Sequence, residues 1–135
     1  MSLINAYQIG ATALTAQEMR ENAVASNLAN VDSAASSTNS LYKSRHVVFE
    51  SFTLASGGTG VRVRDVVESS EPPRVVHDPG HPMADAQGNV SYPNVNVVHE
   101  LADMISASRA YQTNVEMMNA VKTMLQHALS LGQGS

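Results

Sequence analysis

Histidines in a tight, proline-rich segment are the side chains whose types and spacing come nearest to a reactive site. The segment reads His77-Asp78-Pro79-Gly80-His81, and His99 follows further along the chain. Histidine and aspartate bind Zn²⁺ or transfer protons, but a zinc site needs a third ligand at a recognisable spacing, which this segment lacks. Proline fixes its own φ angle and biases the preceding residue away from helix. The sequence therefore favours a rigid, solvated turn over a metal or acid–base site.

Two further features superficially resemble motifs of enzymes. Five histidines and many serines make a hydrolytic triad arithmetically possible, but Gly57-Gly58-Thr59-Gly60 holds no serine and is not a nucleophile elbow. The same glycine-rich segment has neither the lysine nor the following helix of a phosphate-binding loop. It predicts a hairpin turn. We therefore expect no enzyme activity, no catalytic residues, no metal and no cofactor.

Composition limits the classes of protein that remain. The chain has 135 residues and a net charge of −4, and it contains no cysteine, which excludes disulfides and thiol chemistry. Arg62 and Arg64 form the densest basic group, which is too sparse to bind nucleic acid. No apolar run approaches the roughly 20 residues that span a bilayer, so membrane insertion is not expected. The first basic residue is Arg20, so the sequence predicts no cleaved secretory signal.

The two ends of the chain carry no charged side chains. Neither Met1–Gln17 nor Thr123–Ser135 contains Asp, Glu, Lys or Arg, although both segments have the pattern of amphipathic helix. A helical end that remains in water normally keeps charges on its outer face. These ends therefore predict a surface that other protein covers in an assembly.

The N-terminal segment, residues 1–32, has a heptad pattern that is typical of a coiled-coil seam. Its apolar positions are Leu3, Tyr7, Leu14, Val24 and Leu28. Gln17 and Glu21 are the polar positions in or beside this seam. Asn30, Asp32 and Ser33 favour turns, so we expect the helix to end there.

The C-terminal segment, residues 93–135, has a matching heptad pattern. Its apolar positions are Leu101, Met104, Tyr111, Val115, Met118 and Leu125. Ser108 and Lys122 interrupt the stripe, either as tolerated polar positions or as residues that set register or partner choice. Asn94 or Asn96 is the expected N-cap, and Gly132 is the expected C-cap.

The middle of the chain changes to a pattern with a period of two. Residues 33–41 predict a flexible linker, and residues 42–92 predict a small β insert with a hairpin and short strands near 74–77 and 90–92. The expected fold is mainly α, an antiparallel, coiled-coil-like pair of terminal helices with this insert at one end of the rod. The two uncharged termini would then meet at the other end.

Several short motifs stand in both predicted helices and in the insert. They are Ala25–Asn30 with Gln17 and Arg20 before it, Tyr92–Val98, Met104–Glu116, Leu129–Gln133, Pro79–Ala86 and Val47–Glu50. Together they resemble the bacterial flagellar basal-body rod protein family and, with the short length, its proximal rod members. The motif residues expected at assembly interfaces are Gln17, Arg20, Asn27, Leu28, Asn30, Pro93, Asn94, Val95, Ser106, Arg109, Tyr111, Asn114, Leu131 and Gly132.

This resemblance implies a structural subunit of the rod, the drive shaft of the flagellar basal body. Members of the family leave the cytoplasm through the flagellar type III export apparatus without a cleaved signal peptide. They assemble helically in the periplasm and transmit torque. The implied partners are copies of the same chain, other rod subunits, ring or adaptor proteins at the rod base, and the export apparatus. The alternative from another class is a soluble helical adaptor or an export-chaperone-type binding module in the cytoplasm.

Overall fold

The computed structural model of the chain describes residues 2–134 and contains two long helices and two β-hairpins. The elements in chain order are α1 (Leu3–Ala29), β1 (Arg45–Thr53), β2 (Thr59–Glu68), β3 (Arg74–His77), β4 (Asn89–Tyr92) and α2 (Val97–Gln133). The helices contain 27 and 37 residues, so the chain is mainly α, as the sequence predicted. Neither helix in the described part of the chain is long and apolar enough to cross a membrane.

Helix α1 is capped by side chains at both ends. The Ser2 hydroxyl accepts a hydrogen bond from the Asn5 N–H at 3.1 Å. The helix ends at Ala29, and the Asn30 amide donates to the Ser26 carbonyl at 2.9 Å. The Ser2 contact satisfies a backbone N–H at the start of the helix, and the Asn30 side chain adds a second hydrogen bond to the Ser26 carbonyl, which also accepts from the Asn30 N–H.

Helix α2 begins at one of its two candidate caps and ends beyond the predicted one. The Asn96 side chain accepts from the His99 N–H at 3.1 Å, whereas the Asn94 amide donates to the Pro72 carbonyl at 3.0 Å. The prediction of Gly132 as the C-cap is wrong, because the helix continues through Gln133 and Gly134 is the cap. The Gly134 N–H donates to the Ser130 carbonyl, which continues the helical pattern of hydrogen bonds past Gly132.

Strands β1 and β2 form the predicted hairpin. They pair antiparallel from Arg45 opposite Glu68 to Thr53 opposite Thr59. Gly57 and Gly58 in the turn have φ angles of 93° and 87°, a region in which a side chain is strained. The Leu54 N–H closes the turn by donating to the Gly58 carbonyl at 3.0 Å.

The β1–β2 hairpin lies along α1, so the prediction that the insert sits at one end of the helices is wrong for this part of the insert. Near the start of α1, the Asn5 amide donates to the Ser56 carbonyl at 3.0 Å. Further along, the Val61 N–H donates to the Thr12 hydroxyl at 3.2 Å. The physical reason is length, since strands of nine and ten residues span about 30 Å, much of the length of α1.

The second hairpin lies near the end of α1. Strands β3 and β4 pair antiparallel from Arg74 opposite Tyr92 to His77 opposite Asn89. Ala35, inside the predicted linker, is buried, and its N–H donates to the Ser91 carbonyl at 3.0 Å. The linker segment therefore contributes at least one ordered contact to this hairpin.

Candidate assembly interface

Helices α1 and α2 contact each other at three levels. Gly10 is so close to α2 that an added Cβ would lie 2.7 Å from side-chain atoms of Met117 and Met118. In the middle of α1, Arg20 Nη2 lies 3.1 Å from Asp103 Oδ1. Near the end of α1, Asn27 Nδ2 lies 3.1 Å from Glu100 Oε2. Residue numbers rise along one helix as they fall along the other, so the two helices run in opposite directions through these contacts.

The buried residues of α2, and two of the four buried residues of α1, are separated by seven or fourteen residues. In α2 they are Glu100, Ala107 and Val121, and in α1 Gly10 and Val24 share such an interval. Small residues at several of these positions allow two helix backbones to approach closely. Glycine at position 10 is therefore explained by the close contact with α2, which outweighs its cost of about 1 kcal/mol to helix formation.

The predicted seam residues differ in their exposure. Val24 is buried, whereas Tyr7 and Leu101 are 41% and 48% exposed. The half-buried members are Leu3, Leu14, Leu28, Met104, Tyr111, Val115, Met118 and Leu125. Each buried residue of α2 comes one residue before a position of the predicted heptad pattern. Glu100 precedes Leu101, and Val121 precedes the polar position Lys122. That the two stripes pair with each other as a seam within one chain stays a prediction.

Asn27 joins α1, the start of β1 and α2 at one buried point. Its Oδ1 accepts from the Tyr42 hydroxyl at 2.7 Å and from the Arg45 N–H at 2.8 Å. Its Nδ2 donates to the Arg45 carbonyl at 2.9 Å and to Glu100 Oε2 at 3.1 Å. Asn27 is fully buried and Glu100 is 3% exposed. We call these four residues the Asn27 junction, in which the asparagine uses every hydrogen-bonding position of its side chain.

A sequence motif identified Asn27 as an interface residue, but it did not indicate the role of the side-chain amide. The sequence placed Glu100 only within the C-terminal segment, and Tyr42 and Arg45 only within the insert. The available signal was the asparagine itself, because an amide inside a helix with few other polar neighbours is unfavourable unless partners satisfy it. Those partners come from distant parts of the chain, so local patterns do not identify them.

Burial raises the pKa of the Tyr42 hydroxyl above its ordinary value of 10.0. The Arg45 guanidinium acts in the opposite direction, and the carboxylates of Glu100 and Glu68 raise the pKa further. The hydroxyl therefore keeps its proton, which it donates to Asn27, throughout the neutral pH range.

We expect a Tyr42-dependent loss of stability at alkaline pH. The folded chain holds this proton more tightly than the unfolded chain, so stability is unaffected below about pH 10 and falls as the pH rises through the folded pKa. Urea unfolding from about pH 8 to 11 should show a smaller alkaline decline in Tyr42→Phe than in wild type. Tyr7→Phe, at a tyrosine that is 41% exposed, is the control and should retain the wild-type decline. Identical profiles for wild type and Tyr42→Phe would contradict the assignment.

The other motif residues fall into three groups. The first group is buried or hydrogen-bonded within the chain: Arg20 pairs with Asp103, Pro93 is fully buried, and the Asn114 amide donates to the Ala110 carbonyl at 2.8 Å. Gln17 belongs to this group as well, since its Oε1 is buried without a hydrogen-bond partner in the described part of the chain. Leu28, Asn30, Val95 and Tyr111 are half-buried, and the exposed group is Asn94, Ser106, Arg109, Leu131 and Gly132.

The histidine segment forms the predicted turn. His77 Nδ1 lies 3.2 Å from Asn89 Oδ1, and the Met83 N–H donates to His81 Nδ1 at 3.0 Å. His99 faces Asp103 instead, at 3.9 Å. Within residues 2–134, no three His, Asp or Glu side chains are grouped so that they could hold a metal ion.

Helix α2 extends beyond the start of α1. Because Gly10 lies against Met117 and Met118, Leu3 lies roughly level with residue 124, and the residues that follow have no helix beside them. We call residues 126–134 the overhang. All of them are exposed, with Leu129 at 67% and Leu131 at 77%. The overhang is about 13 Å long at 1.5 Å per residue.

The comparisons with known proteins agree on one family. Residues 86–131 match the family described as the C-terminal part of the flagellar basal body rod FlgEFG proteins. The flagellar basal-body rod protein FlgC of Escherichia coli O6:H1 is 48% identical over 134 residues, covering 98% of this chain and all of the relative. FlgC of Salmonella typhimurium is 46% identical with the same coverage, and FlgC of Borreliella burgdorferi is 34% identical over 99% of this chain and all of the relative. The chain therefore belongs to the FlgC family of flagellar basal-body rod proteins, which are structural subunits and not enzymes.

Proposed function

We propose that this rod subunit assembles through its two terminal helices, residues 1–32 and 93–135, which act as one discontinuous, coiled-coil-like helical domain. The observation that carries this proposal is the charge-free overhang, whose leucines are exposed in the single chain. Exposed apolar surface of this kind normally marks a contact with other protein. In a helical assembly these faces would be covered by neighbouring subunits.

Torque transmission requires that the parts of each subunit keep their relative orientation under load. The Asn27 junction supports this role, because it connects both helices and the β1–β2 hairpin through hydrogen bonds in a buried site. Hydrogen bonds along α1, from Asn5 to Thr12, hold the rest of the same hairpin. We infer that the insert, residues 42–92, fixes the angle of the subunit in the rod. The linker, residues 33–41, connects the N-terminal helix to this insert.

The proposed partners are further copies of this chain and other rod subunits, with ring or adaptor proteins at the rod base. The names of the relatives place those proteins in the flagellar basal-body rod and support this choice. We also propose that the chain reaches the periplasm through the flagellar type III export apparatus without a cleaved signal peptide. No nucleic-acid contact or membrane insertion forms part of this function.

Fractionation tests this function against an adaptor or export chaperone. We expect an epitope-tagged chain to appear in isolated basal bodies when the export gate works, and in the cytoplasm when the gate is inactivated. A cryo-EM map of the same basal bodies should place the tag in the rod, and mass spectrometry should find the intact N-terminus. A chain that stays in the cytoplasm of cells with a working gate would support the adaptor or chaperone and contradict the rod assignment.

A further inference from the structure

An apolar groove lies between α1 and the β1–β2 hairpin. Its volume is about 330 Å³, and its lining includes Thr12, Ala16, Met19, Phe52, Val61 and Val63. Met19, on α1, is 42% exposed although its neighbours in the groove are largely apolar. A groove of this kind is suited to one or two aliphatic side chains presented by a helix.

The overhang presents such side chains. Leu129 and Leu131 are the two most exposed leucines of the described chain, and no charged side chain follows Lys122. In water this arrangement leaves large aliphatic groups exposed without the charges that normally accompany them. The groove is largely apolar, and Leu129 and Leu131 expose aliphatic surface that the rest of residues 2–134 leaves uncovered.

The two surfaces are too far apart to meet within one chain. Gly10 marks the level at which α1 faces Met117 and Met118. Counting along both helices from that level, Leu131 and Met19 are separated by about 34 Å along the helix axis. Both helices are continuous over these stretches, so no local turn brings the surfaces together. If these surfaces meet, they meet between two copies.

Electrostatics favour the same pairing. The last turn of α2 contains no basic residue, so the partial negative charge at the end of the helix has no cation of its own. Arg62 lies at the groove, where its guanidinium is 5.3 Å from the centre of the Phe52 ring, but it is already paired with Glu50, with Arg62 Nε 2.6 Å from Glu50 Oε1. Arg64 is exposed on the same strand and makes no ion pair within residues 2–134. Arg64, next to the groove residue Val63, therefore supplies the positive charge that complements the negative end of the overhang.

We propose that the overhang of one copy docks in the groove between α1 and the β1–β2 hairpin of a second copy. Because the two surfaces are different, each copy uses both, and the contact repeats in an open head-to-tail series and not as a closed dimer. This proposal rests on the proposed assembly function and adds the contact between copies. It predicts that Leu131 lies against Met19 of the neighbour, whereas Leu129 lies on another face of the helix.

Engineered disulfides test the contact cleanly, because the chain contains no cysteine. The double variant Met19→Cys/Leu131→Cys should form a ladder of disulfide-linked oligomers when the purified protein is oxidised at about 1 mM. At this concentration a contact with a Kd of about 1 mM is half-formed. Both residues are exposed, so the substitutions should leave the fold intact. A mixture of the two single variants should give only a mixed dimer. The pair Val75→Cys/Leu131→Cys, with an exposed valine of the second hairpin, is the control and should give no ladder.

Sedimentation of the purified chain provides a second measurement. Leu131→Asp and Met19→Glu should each weaken self-association about tenfold or more, because each places a charge in the apolar contact, whereas Val75→Asp should not. A purified chain that does not self-associate at this concentration, or that links Leu131→Cys to itself and not to Met19→Cys, overturns the proposal. A different result would contradict the proposed rod function. In that case the chain would be missing from isolated basal bodies, whatever the cross-linking experiment shows.

Discussion

Asn27→Ala is expected to lower the free energy of unfolding by about 3 to 5 kcal/mol. The change removes all four hydrogen bonds of the asparagine and leaves the Tyr42 hydroxyl, the Arg45 backbone and a Glu100 oxygen without this partner. Glu100 is 3% exposed, so water replaces the lost contact poorly. Urea unfolding followed by circular dichroism measures the effect.

Asn114→Ala is the matched control for this change. Asn114 also lies in a helix and is half-buried, but its amide makes a single hydrogen bond to the Ala110 carbonyl of its own helix. Alanine favours helix, so the control should change the free energy of unfolding by less than about 1 kcal/mol. Equal effects of the two substitutions would show that the Asn27 junction contributes no more than an ordinary helical asparagine.

Met118→Asp is expected to abolish rod assembly and swimming. Met118 Cγ lies only 2.7 Å from the position that a Cβ at Gly10 would occupy, so the aspartate would lie against α1 where the two helices are in close contact. A carboxylate without a partner in such a site costs several kcal/mol or forces the helices apart. Swimming in soft agar and the amount of the chain in isolated basal bodies are the measurements.

Asn119→Asp introduces the same charge one residue later, at an exposed position of α2, and is the control. It should support swimming, and its free energy of unfolding should lie within about 0.5 kcal/mol of wild type. Urea unfolding of the purified Met118→Asp chain separates loss of the helix contact from loss of a contact with other subunits. Wild-type swimming in Met118→Asp would contradict the contact of α1 and α2 at this level.

Local elements were largely predictable because their signals are local. Turn-forming residues after Ala29 marked the end of α1, and the extended residues at 74–77 form β3 with the predicted bounds. Glycines at positions 57 and 58 predicted the hairpin turn because their positive φ angles are strained for other residues. The cap of α2 was less certain from sequence, since Asn94 and Asn96 are chemically equal and only the contact of Asn94 with Pro72 separates them.

The arrangement of these elements required the tertiary structure. Helical periodicity identified an apolar stripe in α2 that starts at Leu101, but the buried residue is Glu100, because Asn27 of α1 provides a partner for its carboxylate. The hairpin was expected beyond the end of the helices, and it lies along α1 because its strands are long enough to pack there.

By itself, the sequence determined the mainly α fold class, the family and the charge-free ends, since these depend on residue types and on spacing within a segment. Only the tertiary structure decided which residues meet across the chain: Gly10 with Met118, Asn27 with Glu100, and α1 with the hairpin. The physical reason is that periodicity defines the faces of a helix but not its rotation or its neighbour. Those depend on close packing and on hydrogen bonds between residues far apart in sequence.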